Sequence, residues 1–349
     1  MRLLIDGRML HSSGVGVYIK QIIHELVTDS NENVTLILNE TESVEGIPED
    51  IQIIKVNYGR FSIKNIFKLR KLLINYDCYL IPNLALTPFK SKKYKIFSTV
   101  HDLCPVRMRD CFPLHLSIAY WILMLWQIIN SNKIFTISGF TKKELKCFYP
   151  FFNENKYVVV HNGWEKKNGN ITFRGAEPSE IYGLCVGNVK KHKNILPLID
   201  YLNNYVPDAL IYIVGDYSNF KTKAISDDPV STKSIVFTGF ISDEELDNLY
   251  KNASFFIFPS RYEGFGLPLL EAMAYQLPIF ASNIEIFHEI AGEHIEYFDP
   301  YNFDGLNKMI SSVQKKDLRK DYSDVLKKFS WKKTVNSMLK VMNEYSFNK

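Results

Sequence analysis

The apolar residues of this chain fall into short runs separated by segments in which apolar positions recur at helical spacing. In the first half, the short runs predict strands at 3–5, 34–38, 51–56, 79–81, 96–100, 134–137 and 158–160. Between the first two, the apolar spacing predicts a helix over residues 15–27. Strands that alternate with helices through short loops are typical of a parallel sheet covered on both faces.

The same pattern restarts after a polar, glycine-containing segment at 163–179, where we place a linker. Later runs predict strands at 182–186, 210–214, 235–237, 253–258 and 278–281, and helices at 196–205, 243–252 and 331–345. Ser242 and Glu245 fit a capping box at the start of the second of these helices. The expected division is a domain at 1–165, a linker at 166–180, a domain at 181–329 and a C-terminal helix at 330–349.

Composition favours two globular domains in a reducing compartment. The chain has 349 residues, enough for two domains of ordinary size, and 46% of them are hydrophobic. The first residues do not form a signal peptide, and the longest apolar run, Leu116–Ile129, is shorter than the roughly 20 residues that span a bilayer. Five scattered cysteines without a C-x-x-C pair predict reduced thiols and a cytoplasmic location.

Positive charge is concentrated in one part of the first domain. Between residues 51 and 100, ten Lys and Arg side chains accompany a single acid, Asp77. Within this stretch Lys64, Lys68 and Lys71 share one face of a predicted helix over 61–75. Its apolar face is expected to contain Ile63, Ile66, Phe67, Leu69 and Leu73. Such a helix fits an anionic membrane surface and equally an ordinary solvated helix face. Nucleic acid is disfavoured because aromatic residues do not alternate with the basic ones in a stacking pattern.

The segment 259–273 carries the most chemical information. An apolar strand leads into a turn with two glycines, and Pro268 fits the first turn of the following helix. Backbone N–H groups at such a helix start bind anions, here those of Gly264, Phe265, Gly266 and Leu267. Glu263 lies on the turn and Glu271 one helical turn beyond Leu267, so both carboxylates can accept hydrogen bonds from hydroxyls. Phosphate and hydroxyl recognition on one loop predicts a sugar-nucleotide site.

Glu263 and Glu271 resemble the E-x7-E motif of the family-4 glycosyltransferases, which are retaining enzymes. The resemblance extends over 259–283 and 289–300. It implies an α/β fold of the GT-B architecture, with two facing Rossmann-like domains and a last helix that returns to the first domain. It also implies that Glu263 holds sugar hydroxyls and Glu271 holds the ribose. For the isolated motif, a glycine-rich turn that caps a strand and carries two solvated glutamates is the alternative interpretation.

Two further loops match the family. Gly14 and Gly16 follow the first strand, and the family has a comparable glycine loop facing the distal phosphate and the transferred sugar. Alone this pattern is weak, since the third glycine of a dinucleotide fingerprint is replaced by Ile19. Lys193 and Asn194 match the family pattern G-x-x-x-x-R-K-N, with a histidine where arginine is common. Lys193 is therefore expected to stabilise the departing diphosphate, and a solvated basic turn is the alternative.

Three polar positions lie at predicted strand or helix ends. His101 ends a strand at the edge where α/β sheets hold ligands, and the family places a histidine there near the transferred sugar. Without the resemblance, His101 beside Asp102 would be interpreted as a buried, satisfied histidine. Ser138 is expected to be a structural N-cap. Gly239 ends a strand, and in the family this backbone lies near the nucleobase.

These patterns predict transfer of a hexosyl group from a nucleotide sugar to a saccharide or lipid-linked saccharide at the inner membrane face, and the resemblance implies retention of the anomeric configuration. The overall sequence is similar to bacterial O-antigen and capsule mannosyltransferases, which favours GDP-mannose as the sugar donor in surface polysaccharide synthesis. No cofactor or metal is expected because D-x-D, P-loop and H-E-x-x-H motifs are absent from the sequence. A sugar-nucleotide epimerase of the same fold and a non-catalytic sugar-binding subunit remain as alternatives.

Overall fold

The computed structural model describes residues 1–29, 32–165, 181–216, 234–313 and 319–346. The chain divides into two compact units. Unit 1 comprises Met1–Gly163 together with Phe329–Lys349, and unit 2 comprises Trp164–Lys328. The predicted linker at 166–180 lies outside the described residues.

Unit 1 contains a parallel sheet whose described strands follow the order β3-β2-β1-β4-β5-β6-β7. Strands β2 and β3 lie on one side of β1, and β4 to β7 lie on the other side. This change in strand order between β1 and β4 is the arrangement of a doubly wound fold. The strands are β1 (Arg2–Asp6), β2 (Asn33–Asn39), β3 (Gln52–Val56), β4 (Cys78–Ile81), β5 (Lys95–Val100), β6 (Lys133–Thr136) and β7 (Tyr157–Val159).

Helices cover both faces of this sheet. They are α1 (Ser13–Asp29), a π-helix (Asn65–Leu69) that continues into α2 (Arg70–Leu73), α3 (Cys104–Arg107), α4 (Leu114–Asn130), α5 (Gly139–Phe148), a 3-10 turn (Glu154–Lys156) and α12 (Trp331–Ser346). The last of these joins unit 1 from the far end of the chain. The Tyr18 ring of α1 lies 5.9 Å from the Trp331 ring, and Tyr18 Oη donates to Met338 Sδ at 3.7 Å.

The direction of side chains along β5 shows which helices share a face of the sheet. Ile96 packs in one apolar cluster with Leu69 and Leu73, and Val100 packs in another with Met124 and Ile128. Residues four apart on a strand point to the same face. The segment 65–73 and helix α4 therefore cover the same face of the unit 1 sheet.

The basic segment at 61–75 differs from its predicted form in its first turn. The structure buries Leu69 and Leu73 as expected, but Ile63 and Phe67 are each 64% exposed. Asn65 is buried instead, where its Oδ1 accepts from Arg8 Nη1 at 2.9 Å and its Nδ2 donates to the Arg60 carbonyl at 2.7 Å. This polar anchor turns the start of the segment, so the predicted apolar face is wrong at Ile63 and Phe67.

Unit 2 contains a second parallel sheet, whose described strands follow the order β10-β9-β8-β11-β12-β13. They are β8 (Tyr182–Val186), β9 (Leu210–Val214), β10 (Ile235–Gly239), β11 (Phe255–Phe258), β12 (Ile279–Ser282) and β13 (Glu296–Phe298). The strand order again changes from one side of the first strand to the other, here between β8 and β11. The loops after these two strands therefore lie at a ligand-binding switch point.

The helices of unit 2 connect these strands. They are a 3-10 turn (Lys191–Lys193), α6 (Ile195–Tyr205), α7 (Asp243–Asn252), α8 (Leu267–Ala274), α9 (Glu285–Ala291), a 3-10 turn (Gly292–His294), α10 (Leu306–Val313) and α11 (Ser323–Leu326). Helix α7 begins with the predicted capping box of Ser242 and Glu245. The predicted α/β class with two parallel-sheet, Rossmann-like domains is confirmed. Within the described ranges, no helix has the length and hydropathy needed to cross a bilayer.

Candidate functional site

The loop after β8 presents Lys193 from a constrained backbone. Asn194 adopts the left-handed conformation (φ 60°), which asparagine tolerates better than most residues, and is 4% exposed. Its Nδ2 donates to the Pro300 carbonyl at 2.6 Å, which fixes the junction between the 3-10 turn and α6. The sequence match at Asn194 is thus explained by backbone geometry, and its effect is to hold Lys193 in place.

Lys193 and Glu263 meet although they follow different strands. Lys193 Nζ lies 2.6 Å from Glu263 Oε1, and Ser260 Oγ donates to the same oxygen at 2.7 Å. The two side chains are 23% and 11% exposed, so the pair is largely shielded from water. Because both donors reach Oε1, Oε2 is the carboxylate oxygen oriented for a further hydroxyl.

A backbone hydrogen bond joins the two loops that carry this pair. The Arg261 N–H donates to the His192 carbonyl at 2.8 Å. This bond sets the distance between the loop after β8 and the loop after β11, so it helps to keep Lys193 within reach of Glu263. The structure therefore gives His192 a backbone function that its side-chain type does not reveal.

Helix α8 starts at a glycine with a positive φ angle. Gly266 has φ 109°, and a Cβ added there would lie 3.1 Å from the Phe287 ring. Both observations require glycine at this position. Pro268 is in the first turn, as predicted. Gly264, Phe265 and Gly266 are buried, whereas Leu267 is half-buried. Of the four residues of the predicted anion site, Leu267 in the first helical turn is therefore the most accessible to a ligand.

Glu271 lies on α8 and faces helix α7. Its Oε2 accepts a hydrogen bond from Tyr250 Oη at 2.8 Å. Burial and the nearby Glu271 charge hold the pKa of Tyr250 well above its usual value, so the phenol stays protonated and donates. The Tyr250 ring stacks on Tyr275 at 5.5 Å, and Tyr275 Oη donates to Asp247. These contacts hold the Glu271 carboxylate in one orientation.

Glu271 borders a small cavity of about 30 Å³ between α7 and α8. Of the described residues, the ones that line it are Trp164, Glu165, Asp243, Leu246, Asp247, Tyr250, Glu271 and Tyr275. Neither Lys193 nor Glu263 is among them. Glu271 therefore belongs to a different part of the site from the Lys193–Glu263 pair.

Gly239 ends β10 with φ 69°, and its carbonyl accepts from the Gly215 N–H at 3.1 Å. The next residue, Phe240, is 73% exposed, although large aromatic side chains are usually buried. Gly239 and Phe240 lie at the carboxyl edge of the unit 2 sheet. This edge therefore offers an accessible aromatic surface near the loops described above.

His101 lies in unit 1 at the carboxyl end of β5. Its Nε2 is 2.7 Å from the Pro82 carbonyl, which can only accept, so Nε2 carries the hydrogen and Nδ1 carries the lone pair. Burial lowers the pKa of His101, against the opposing effects of that hydrogen bond and of Asp102. The ring makes an edge contact with Tyr18 at 4.8 Å. His101 is thus a neutral, fixed imidazole with one nitrogen able to accept.

Tyr18 also connects His101 to the predicted glycine loop, because it lies in the first turns of α1. A Cβ on Gly16 would lie 2.4 Å from the Leu10 carbonyl oxygen, so this position requires glycine for packing. A Cβ on Gly14 would meet nothing within 4 Å. The structure therefore brings Gly16, Tyr18 and His101 together in unit 1, and it places Lys193, Gly239, Glu263 and Glu271 in unit 2.

Sequence reasoning missed Ser260 and Tyr250. Ser260 directly precedes the loop of Glu263, and a hydroxyl three residues before a carboxylate was a local signal for this bond. Tyr250 reaches Glu271 across 21 residues, and no local pattern predicts that contact. Ser138 was predicted correctly as an N-cap, since its Oγ accepts from the Thr141 N–H at 3.0 Å. In the described ranges, no group of three or more His, Cys, Asp or Glu side chains clusters as a metal site would.

Comparisons with known proteins agree with this architecture. The family described as "Glycosyltransferase Family 4" matches residues 12–166, and "Glycosyl transferases group 1" matches residues 170–330. O-antigen chain mannosyltransferase B from Escherichia coli is 34% identical over 71% of this chain and 69% of its own length. O-antigen chain mannosyltransferase RfbU from Salmonella typhimurium is 28% identical over 62% of this chain and 60% of its own length. The sucrose-phosphate synthase structure from Thermosynechococcus elongatus has a TM-score of 0.73, with 99% of each chain covered at 15% identity.

The chain therefore belongs to the family-4, group 1 glycosyltransferases, as the motif around Glu263 and Glu271 predicted. It is a glycosyltransferase with the GT-B fold, and its curated relatives include O-antigen mannosyltransferases.

Proposed function

We propose that this glycosyltransferase moves a hexosyl group from a nucleotide sugar to a saccharide hydroxyl with retention of the anomeric configuration. The observation that carries the proposal is the 2.6 Å pair of Lys193 and Glu263, on loops that follow two adjacent parallel strands. A cation suits the departing diphosphate, and a carboxylate beside it suits the hydroxyls of the attached sugar. A nucleotide sugar carries both groups side by side, with its diphosphate attached directly to the hydroxyl-bearing sugar.

The chemistry follows from charge. As the bond between the anomeric carbon and the diphosphate oxygen breaks, negative charge grows on that oxygen, which Lys193 and the first turn of α8 would stabilise. The acceptor oxygen forms the new bond to the same carbon and passes its proton to the departing phosphate oxygen. Glu263 would hold a sugar hydroxyl through Oε2, and His101 would accept from another through Nδ1. The residues act by position and electrostatics, with no covalent intermediate on the protein.

The nucleoside is proposed to lie against α7 and α8. Glu271, oriented by Tyr250, would accept from the ribose hydroxyls at the cavity it borders. Phe240 offers its exposed ring to a base at the same sheet edge. We favour GDP-mannose because two matched relatives are O-antigen mannosyltransferases.

We propose a lipid-linked saccharide of surface polysaccharide synthesis as the acceptor, with peripheral contact between the protein and an anionic membrane. Lys64, Lys68 and Lys71 are exposed on the segment that covers one face of unit 1. Their charge favours an anionic leaflet. Metal independence is part of the proposal, resting on the absence of a D-x-D sequence.

The proposal is tested by thermal unfolding with a panel of sugar nucleotides, followed by transfer assays with the stabilising one. A ligand that binds only the folded state raises the unfolding midpoint. NMR of the product should show the anomeric configuration of the sugar donor, and EDTA should leave the rate unchanged. Conversion of the nucleotide sugar to an epimer without acceptor would instead support the epimerase. Inversion at the anomeric carbon would overturn the proposed mechanism.

A further inference from the structure

Helix α4 presents an apolar stripe to solvent. Leu114, Ile118, Ile122 and Ile129 are 66%, 50%, 54% and 43% exposed, and they share one helix face. The helix has 17 residues and contains no Asp, Glu, Lys or Arg. A surface helix ordinarily carries charged residues on its outward face. An outward helix face that is apolar and without charged residues therefore indicates an interaction surface.

Basic residues border the α4 stripe on one side. The Phe89 ring packs against Trp126 of α4 at 5.2 Å, and Trp126 Nε1 donates to the Thr87 carbonyl at 2.8 Å. These contacts tie the loop 87–93 to the helix. The lysines of that loop, Lys90, Lys92 and Lys93, are all exposed.

More lysines gather at the carboxyl end of α4. Lys156 Nζ donates to the carbonyl of Ser131, the residue that follows the helix, and Lys133 Nζ donates to Asn155. Burial, together with the positive charges of Lys90 and Lys133, lowers the pKa of Lys156 to about 8. The nearby acid Glu154 pairs with Lys142 and Lys146 at 3.5 and 3.0 Å. The border of the stripe is thus positively charged.

The basic segment 65–73 lies on the same face of the unit 1 sheet as α4, as the shared direction of Ile96 and Val100 shows. At the start of the basic segment at 61–75, Ile63 and Phe67 are also exposed beside Lys64 and Lys68. One face of unit 1 therefore presents apolar side chains and lysines together.

We propose that the α4 stripe and the lysines at 90–93 form a docking surface for an anionic lipid bilayer. Helix α4 lies flat in the headgroup layer, with Leu114, Ile118, Ile122 and Ile129 in the acyl boundary and the lysines against phosphate or carboxylate headgroups. The 17 residues span about 25 Å, which is a helix for lying in the interface and too short for crossing it. The charge border favours a negatively charged lipid surface over an apolar protein groove. This deepens the membrane contact proposed above and holds for any sugar donor.

The test compares matched variants in co-sedimentation with vesicles of phosphatidylglycerol and phosphatidylcholine. Ile118→Ser with Ile122→Ser should lower partitioning about tenfold or more, whereas Ile181→Ser with Leu196→Ser, exposed apolar residues of unit 2, should leave it unchanged. Changing Lys90, Lys92 and Lys93 to Gln should lower partitioning about a hundredfold. The same change at Lys308, Lys320 and Lys328 of unit 2 is the control. Pure phosphatidylcholine vesicles should bind weakly.

A second measurement, quenching of tryptophan emission by lipids, tests the inference even if the stripe variant does not fold. Lipids brominated along the acyl chain should quench wild-type tryptophan emission, and removing both tryptophans of α4, by Trp121→Phe with Trp126→Phe, should remove the quenched component while Trp164→Phe retains it. Wild-type partitioning by the stripe variant, or absence of quenching, overturns the inference. A wild-type dimer in lipid-free solution that Ile118→Ser with Ile122→Ser converts to monomer would also overturn it, in favour of a second copy as the occupant.

One further variant separates this inference from the proposals above. Reversal of Lys64, Lys68 and Lys71 to Glu tests the basic segment at 61–75 alone. If only that variant loses partitioning, the proposed membrane contact stands and the α4 inference fails. If vesicle binding follows the stripe but no nucleotide sugar is used, the inference stands and the proposed function fails.

Discussion

Lys193 and Glu263 are 70 residues apart in the chain and 2.6 Å apart in the fold. They form a shielded ion pair, although we assign them to different parts of the same ligand. A diphosphate at Lys193 and a sugar hydroxyl at Glu263 would each replace part of this pairing when they bind. Truncating either residue therefore also changes its partner, and the effects of the two truncations should not add.

Lys193→Ala should lower the transfer rate about a hundredfold to a thousandfold, corresponding to roughly 2.7–4 kcal/mol, by analogy with loss of one transition-state donor. The lost charge matters most when the diphosphate departs, so kcat should fall more than stability does. Steady-state kinetics beside urea unfolding measure both quantities. Lys190→Ala, at an exposed position three residues earlier, is the matched control. Near-normal turnover of Lys193→Ala would remove Lys193 from the mechanism.

Glu271→Ala should weaken binding of the nucleotide sugar and of its nucleoside diphosphate equally, because the ribose is common to both. The expected loss is about 1.5–3 kcal/mol, the range for hydrogen bonds to a charged group. Tyr250→Phe should cause a smaller loss for both ligands, since it frees the carboxylate from its 2.8 Å partner. Calorimetric titration with each ligand measures these losses.

Glu263→Ala should weaken the nucleotide sugar more than the nucleoside diphosphate, because only the former has the hydroxyls that Glu263 would hold. The same calorimetric titration distinguishes the two carboxylates. Equal losses for both ligands in the Glu263 and Glu271 variants would show that our division of roles is mistaken.

Gly266→Ala should destabilise unit 2 by about 1–2 kcal/mol or more, since a Cβ at φ 109° is strained and would crowd Phe287 at 3.1 Å. Gly14→Ala is the control, because a Cβ there meets nothing within 4 Å. Alanine within a helix is favoured over glycine, so Gly14→Ala should keep or raise the unfolding midpoint. Urea unfolding of both variants compares them, and equal midpoints would contradict the strain argument.

His101 should make unit 1 less stable in mild acid. Its folded-state pKa is lowered below the usual 6.5, so between these two values the unfolded chain binds the proton more readily. The contribution of His101 is therefore complete above about pH 6.5 and is lost as pH falls through the window below it. His101→Gln should flatten the urea midpoint between pH 5 and 7, while the exposed His24→Gln should follow wild type. An NMR titration of His101 with an ordinary pKa would refute this.

Local chemistry accounts for what the sequence predicted well. The capping box joins Ser242 and Glu245, three residues apart, and most strands were visible because buried parallel strands are continuous apolar runs. Strand β13 was missed because only one of its three residues, Phe298, is buried. The first turn of the basic segment was wrong because Asn65 is fixed by Arg8, 57 residues earlier. Helical spacing alone cannot show a buried polar anchor supplied from elsewhere in the chain.

The candidate site shows the same limit. Glu263, Glu271 and Lys193 could be named from their loops, but the pairing of Lys193 with Glu263 depends on β8 lying beside β11. The contact of Tyr250 with Glu271 depends likewise on how α7 packs beside α8. The aromatic-rich run 112–126 was noted as suited to a lipid-linked acceptor, but the exposed face of α4 could not be predicted because exposure is a property of the folded surface. The sequence therefore shows which side chains are available for the site, but not which of them come into contact in the fold.

Because helix α12 belongs to unit 1 but follows unit 2 in the chain, unit 2 can finish folding before unit 1 during synthesis. Unit 1 needs Trp331 and Met338 beside Tyr18, and these residues leave the ribosome only after all of unit 2 has been made. Unit 2 can thus complete its sheet while unit 1 still lacks the helix that covers Tyr18. A chain truncated after residue 328 and released from the ribosome should contain a native second unit and an incomplete first one.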